Sequence, residues 1–180
     1  MARMTTSLRE ATPADGPALW SVLAPAFRAG DTYTLAPDIS QIDALAYWMA
    51  PGNAVFVAED GQTILGTFYL RPNAEGGGCH VANAGFVTAP RARGRGLARF
   101  MLNRAEIEAR ARGFLAMQFN FVVATNAAAL HIWRTEGYAE VGRLPRAFRH
   151  PTEGFVDALV LYKFLQEAET WPTTAPSSPS

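Results

Sequence analysis

Residues 87–98, VTAPRARGRGLA, constrain this chain more than any other stretch. An apolar strand end at Val87 meets a proline, then a loop of arginines and glycines, and then a helix continued by Leu97, Met101, Leu102, Ala105 and Ile107, all assigned to the core. A helix start leaves its first backbone N–H groups unpaired and carries about half a positive charge from the macrodipole, so it attracts anions unaided. Gly94 and Gly96 remove β-carbons where a phosphate would press on the chain. Arg91, Arg93 and Arg95 add charge-assisted donors around it. Two readings fit these residues alone: a pyrophosphate cradle, or a solvated basic loop ahead of an ordinary helix. No Gly-Lys-Ser/Thr follows, so it is not a P-loop, and the third glycine of the dinucleotide fingerprint is absent.

The flanking segments supply a fold class. Residues 7–12 (SLREAT) alternate as a strand, and Pro13-Ala14-Asp15 opens a helix to about Phe27. A second helix follows Ser40 and ends at Pro51-Gly52. Strands are expected at 54–59 and 63–70, joined by Asp60-Gly61, a hairpin signal because glycine supplies positive φ without steric cost. Another is expected at 80–88. After the helix that ends near Arg112, residues 115–123 (LAMQFNFVV) form a nearly continuous apolar run, the mark of a strand buried on both faces. Thr125-Asn126 caps a helix to Gly137, and strands follow at 138–144 and 155–165. The order β-α-α-β-β-β-α-β-α-β-β predicts an α/β domain with helices covering a mixed sheet over residues 1–167. Residues 168–180 read as a flexible Pro/Ser/Thr tail.

Charge and cysteine usage narrow the function classes. Sixteen basic and sixteen acidic residues cancel, so no global field draws the chain to nucleic acid or an anionic membrane, and any anion site is local. The single cysteine, Cys79, allows no internal disulfide and no zinc site of its own, which suits a reducing cytoplasm. No stretch approaches the roughly 20 apolar residues of a membrane span, and the N-terminus lacks a signal-peptide core. The expected location is cytoplasmic.

The Arg93-Gly94-Arg95-Gly96-Leu97-Ala98 stretch, preceded by Val87-x-x-Pro90, resembles the acyl-CoA loop Arg/Gln-x-x-Gly-x-Gly/Ala of the GNAT superfamily of N-acetyltransferases. Asn126-x-x-Ala129 and Gly137-Tyr138 resemble a second element of that family at its usual distance downstream. The resemblance implies a GNAT-like, mostly antiparallel mixed sheet with a splayed strand pair holding acetyl-CoA as cosubstrate, and no metal. It implies that backbone amides of Arg93, Gly94, Arg95, Gly96, Leu97 and Ala98 cradle the pyrophosphate. The strand carrying Phe86 and Val87 would bond the pantetheine arm, and Asn126 would approach it from the other side, although an asparagine there also serves as a plain helix cap. A homodimer through sheet edges is a further implication.

Two departures from the family bear on mechanism. Where the family often has a tyrosine acid, this chain has Trp133, whose indole has no useful acidity. A coenzyme A thiol resembles a cysteine thiol with pKa about 8.5, so water can meet the leaving thiolate. Tyr138 reads as core. No acidic residue lies in 79–88 or 114–125, so neither lining strand offers a carboxylate base. They carry Asn83, Gln118 and Asn120 instead. A buried amide needs a structural partner or a ligand, and both explanations fit. Together with His80-Val81-x-Asn83, Met117-Gln118-Phe119-Asn120, Trp133 and Val141-Gly142-Arg143-Leu144-Pro145, the chain resembles fungal acetyltransferases of cyclic proline analogues such as azetidine-2-carboxylate. That resemblance makes Asn83 and Asn120 the catalytic pair and a small amine or amino acid, cyclic secondary amino acids among them, the acceptor. His80 is the rival base, but its strand parity opposes that of Asn83. His131 and His150 read as surface or structural. A non-catalytic acyl-CoA-binding or sensing module is the alternative function.

Overall fold

The computed structural model describes residues 6–166; the tail expected at 168–180 lies outside the described residues. The elements are β1 (Thr6–Glu10), α1 (Gly16–Ala29), α2 (Gln41–Trp48), β2 (Ala54–Asp60), β3 (Thr63–Pro72), β4 (Val81–Thr88), α3 (Leu97–Ala111), β5 (Ala116–Val123), α4 (Ala127–Thr135), β6 (Ala139–His150) and β7 (Gly154–Phe164). The strands form one sheet in the order β1-β2-β3-β4-β5-β7-β6. Every pairing is antiparallel except β4 with β5. That pair must be parallel because the arginine-glycine loop and α3 carry the chain back across the sheet between them.

The parallel ladder is short. Val81, Ala82 and Asn83 pair with Ala116, Met117 and Gln118, and there it stops. Beyond it β4 stays on β3 as far as Thr88 opposite Gly66, while β5 shifts register against β7 between Phe119 and Val122. Each strand therefore follows its outer neighbour, and a gap opens between them.

Alternation of side chains divides the core between the two faces of the sheet. One cluster packs under α3 and α4 and includes Phe68, Ala82, Ala84, Met101, Leu102, Met117, Leu159 and Leu161. The other packs under α1 and α2 and includes Leu19, Leu23, Phe27, Trp48, Val57, Tyr69 and Val87. Burying each large apolar side chain contributes about 1.5–3 kcal/mol. Helix α3 lies so close to β3 that a β-carbon at Gly66 would stand 2.8 Å from the Met101 sulfur. Ile107, expected in this core, is 50 % exposed. The buried stripe runs through Leu97, Met101, Leu102, Ala105, Glu106 and Ala109, and Ile107 falls on the opposite side of the helix.

Element limits moved where burial gives no periodic signal. The first strand ends at Glu10, two residues early, because Thr12 joins Asp15 in the turn into α1: the Thr12 amide donates to the Asp15 carboxylate at 2.7 Å. The strand expected at 80–88 begins one residue later, at Val81. Strand β6 runs to His150, well past the expected residue 144. Its side chains are almost all exposed and it contains Pro145, so an edge strand of this kind carries no alternating apolar pattern. It pairs with β7 through a register shift between Leu144 and Phe148.

Candidate active site

The cradle begins where β4 ends. Arg91 donates to the Ile64 carbonyl at 3.1 Å and Ala92 is fully buried, so the loop is anchored before it turns outward. Gly94 and Gly96 both take positive φ, 71° and 79°, and Gly96 serves as the N-cap of α3. A β-carbon at either would meet nothing within 4 Å, so these glycines face open space. No side chain caps the helix. Among the described residues the amides of Gly94, Arg95, Gly96, Leu97, Ala98 and Arg99 find no acceptor, whereas the Phe100 amide closes the first turn on the Gly96 carbonyl at 3.0 Å. Arg93 and Arg95 are exposed beside them and form no ion pair among the described residues. Leu97 is buried and fixes the helix on the sheet. Six free amides and two unpaired guanidinium groups suit a bound pyrophosphate.

The gap between β4 and β5 leads away from this cradle. The Asn73 amide donates to the Val81 carbonyl and the Ala89 amide to the Leu65 carbonyl, which fixes the alternation along β4. Residues 81, 83, 85, 87 and 89 turn their backbone groups to β3; residues 82, 84, 86 and 88 turn theirs toward β5. Of the two residues expected to hold pantetheine, Phe86 thus points its backbone into the gap, and Val87 points its at Thr67. The Phe86 carbonyl accepts a hydrogen bond from the Tyr33 hydroxyl at 2.9 Å. Burial holds that phenol well above its ordinary pKa, so it stays protonated and serves as a donor. Tyr33 lies between α1 and α2 in a stretch without periodicity, and nothing in the sequence singled it out.

The amides gather on the α1–α2 face of the sheet. Asn83, 6 % exposed, donates from its side-chain nitrogen to the Gln118 carbonyl at 3.0 Å, across the point where the strands part. The Gln118 side chain donates to the Asn120 oxygen at 2.8 Å, and the Asn120 nitrogen donates to the Asn73 oxygen at 2.7 Å. Asn83 and Asn120 are therefore joined through Gln118, each with a second N–H free of these bonds. Asn120 is exposed, and Asn73, in the turn after β3, was not anticipated. Asn126 caps α4: its oxygen accepts from the Ala129 amide at 3.2 Å, while its side-chain nitrogen makes no hydrogen bond among the described residues.

On the opposite face an aromatic cluster fills the mouth of the split. Trp133, 6 % exposed, stacks on Phe119 at 5.0 Å and leans on Phe86 at 5.3 Å, wedging between one ring from each parted strand. Tyr138 donates to the Met117 sulfur at 3.1 Å, and burial pushes its phenol far above the usual range, which fits core packing and not acid catalysis. His80 stands exposed just before β4, His131 is exposed on α4, and His150 accepts from the Thr152 and Glu153 amides in the β6–β7 turn. Among the described residues no three His, Cys, Asp or Glu side chains gather as metal ligands, and no helix is long and apolar enough to cross a membrane.

A sheet parted beside a bare, glycine-lined helix start defines a class, the acyl-CoA-dependent transferases. The chain belongs to the acetyltransferase (GNAT) family, whose sequence model matches residues 17–138. Members of this family take their acetyl group from acetyl-CoA. The N-acetyltransferase aca1 of Schizosaccharomyces pombe is 34 % identical over 99 residues, covering 54 % of this chain and 47 % of that protein. The chain thus spans about half the length of the curated relative it matches. A GCN5-related N-acetyltransferase from Kribbella flavida superposes with TM-score 0.83 at 37 % identity, covering 88 % of this chain and 97 % of that one. The yncA protein of Salmonella typhimurium, solved with its cofactor acetyl-CoA, superposes with TM-score 0.78 at 21 % identity, covering 97 % and 99 %. At that identity the likeness is one of fold.

Proposed function

We propose that this chain transfers the acetyl group of acetyl-CoA directly to the nitrogen of a small amine or amino acid in the cytoplasm, with cyclic secondary amino acids such as azetidine-2-carboxylate as the leading acceptors. The observation that carries this reading is the parting of β4 from β5 beyond Asn83 and Gln118, with acceptor-free amides at the start of α3. In this reading the amides from Gly94 to Ala98 hold the pyrophosphate; the Arg93 amide, expected among them, is spent on the Pro90 carbonyl at 3.3 Å, and Arg93 contributes its guanidinium instead. Phe86 contacts the pantetheine through its backbone, Val87 ties the same strand to Thr67 of β3, and the free amide nitrogen of Asn126 reaches the arm from α4. The thioester then lies near the branch point, beside Asn83.

Asn83 and Asn120 replace a carboxylate base. With its nitrogen committed to the Gln118 carbonyl, Asn83 presents its oxygen to accept from the incoming amine. Asn120, locked between Gln118 and Asn73, offers its remaining N–H to the oxyanion that forms on the acetyl carbon. The amine attacks as its neutral form, the carbon–sulfur bond breaks, and water takes the amine's proton and protonates the thiolate. A homodimer through the β6 edge, where Val141 is 59 % exposed, accompanies this reading and is checked by light scattering.

Thiol release from acetyl-CoA in the presence of an amine library tests the function. Release that depends on a small amine supports it. Tight acetyl-CoA binding with no release for any amine would instead make the chain an acyl-CoA-binding module.

A further inference from the structure

Strand β3 brings a charged side chain to the same face as the amides. The register sets Arg71 opposite Asn83 and Tyr69 opposite Gly85, and Gln118 lies opposite Asn83 on its other side. Opposed residues share a face of the sheet, so Arg71, Asn83, Gln118 and the Tyr69 ring stand together. Gly85 is what lets the ring lie across β4: a β-carbon there would stand 2.5 Å from Tyr69 Cε1. Trp48 and Tyr47 meet the ring edge-on at 5.0 and 6.4 Å and fix its plane. The Arg71 guanidinium carbon rests 5.4 Å from the ring centroid.

Arg71 is half-buried, yet among the described residues it has no acidic partner and no hydrogen bond. Arg9, Arg99, Arg110, Arg112, Arg134 and Arg143 each pair with a carboxylate. Asn83 opposite Arg71, Gln118 beyond Asn83 and Asn73 two residues along the chain are all neutral. A planar cation steadied on an aromatic face, with no counter-ion and with the Asn83 amide opposite it on the same face, suits a carboxylate held in two-pronged fashion.

We propose that Arg71 binds the α-carboxylate of the acceptor, so that the site takes amino acids in preference to simple amines. The proposal rests on the acetyl-transfer reading and names its substrate class. An α-amino acid held there places its amine, two bonds from the carboxylate carbon, beside Asn83 and toward the branch point. Arg71 touches the substrate away from the reacting atoms, so it governs binding and not the chemical step.

The experiment uses matched acceptors: azetidine-2-carboxylate with azetidine, L-proline with pyrrolidine, and glycine with methylamine. Wild type should acetylate one or more of the amino acids with kcat/KM at least tenfold above the matching amine. Arg71→Met, which keeps an apolar stem on Tyr69, should raise KM for the amino acid about 10- to 100-fold, with kcat within about threefold. It should leave the matching amine and the acetyl-CoA KM unchanged, and Arg71→Lys should recover part of the loss. Equal use of both members of each pair, or equal losses for both in Arg71→Met, overturns the proposal while acetyl transfer stands. If no amine releases thiol, acetyl transfer fails, and calorimetry with azetidine-2-carboxylate in the presence of coenzyme A decides. Binding that Arg71→Met abolishes supports a carboxylate site, and no binding by wild type overturns it.

Discussion

The two ends of the β4–β5 gap are built by different means. At the cradle, one unbroken segment offers its backbone: the amides from Gly94 to Arg99, shaped by two glycines at positive φ and fixed by Leu97 and Ala92 beneath. At the end proposed to take the acceptor, side chains from β3, the turn after it, β4 and β5 gather on one face: Arg71, Asn73, Asn83, Gln118 and Asn120. On the proposed function, the contrast follows from what each end would hold. A phosphate is met by any array of converging N–H groups, and a short local sequence dictates such an array. A small acceptor has to be distinguished from other amines and oriented for attack, which demands particular side chains in a fixed relation.

The acceptor end is the place to break this contrast most severely. Asn83→Ala and Asn120→Ala should each lower turnover roughly 10²–10³-fold while acetyl-CoA binding survives, the usual size for losing one preorganised donor or acceptor. Asn120 is exposed, so its variant should keep the wild-type melting temperature; Asn83→Ala also leaves the Gln118 carbonyl without its partner and should melt earlier. Near-wild-type turnover in both variants would transfer the role to His80 or an ordered water. With no carboxylate base, wild-type kcat/KM should climb about tenfold per pH unit above neutrality until the acceptor's ammonium, with a pKa near 10, has lost its proton.

At the cradle the loss should appear in donor binding alone. Gly96→Asp places a carboxylate where the pyrophosphate would lie, and coenzyme A affinity by calorimetry should fall tens- to a hundredfold. The new β-carbon meets nothing, so the structural cost is the left-handed backbone, about 1–2 kcal/mol, or a few degrees of melting temperature. Unchanged affinity would remove the cradle from this loop.

Trp133 touches both parted strands, and its indole has no useful acidity. Trp133→Tyr should keep turnover within about tenfold of wild type, or raise it by supplying a phenol near the thiolate. A far larger loss at unchanged stability would give the indole a direct role.

The smallest effect belongs to a site remote from both ends. Asp15 accepts from Arg9 at 2.9 and 2.8 Å and from Thr12, and the Arg9 guanidinium foremost holds its carboxyl well below the usual range. A lowered folded-state pKa stabilises above the unfolded value of about 4 and is lost as pH falls through the folded one. Arg9 is 41 % exposed, so solvent screens the pair. Asp15→Asn should therefore melt only about 2–4 °C lower at pH 7, with the difference closing toward strongly acid pH and both ends of the gap working normally.

Local chemistry in the sequence was enough for the order of elements, a central strand at 116–123, although its face bearing Gln118 and Asn120 is not buried as the apolar run implied, and the glycine turn into α3. Strand burial shows as an apolar run, and the glycine and arginine spacing at a helix start sets the geometry of its own amides. The sequence also singled out Asn83 and Asn120, because polar amides interrupt two apolar strands. It did not reveal that Asn83 spends its nitrogen across the branch point, that Asn73 completes the chain of amides, or that Arg71 stands opposite Asn83. Nor did it show Tyr33 on the Phe86 carbonyl or the length of β6. Those facts depend on register: which residue of β3 faces which residue of β4, and where β5 leaves β4 to follow β7. Register is decided by the packing of two cores on opposite faces of one sheet, and a slip of one residue in β3, β4 or β5 would turn Arg71, Asn83 or Gln118 to the other face.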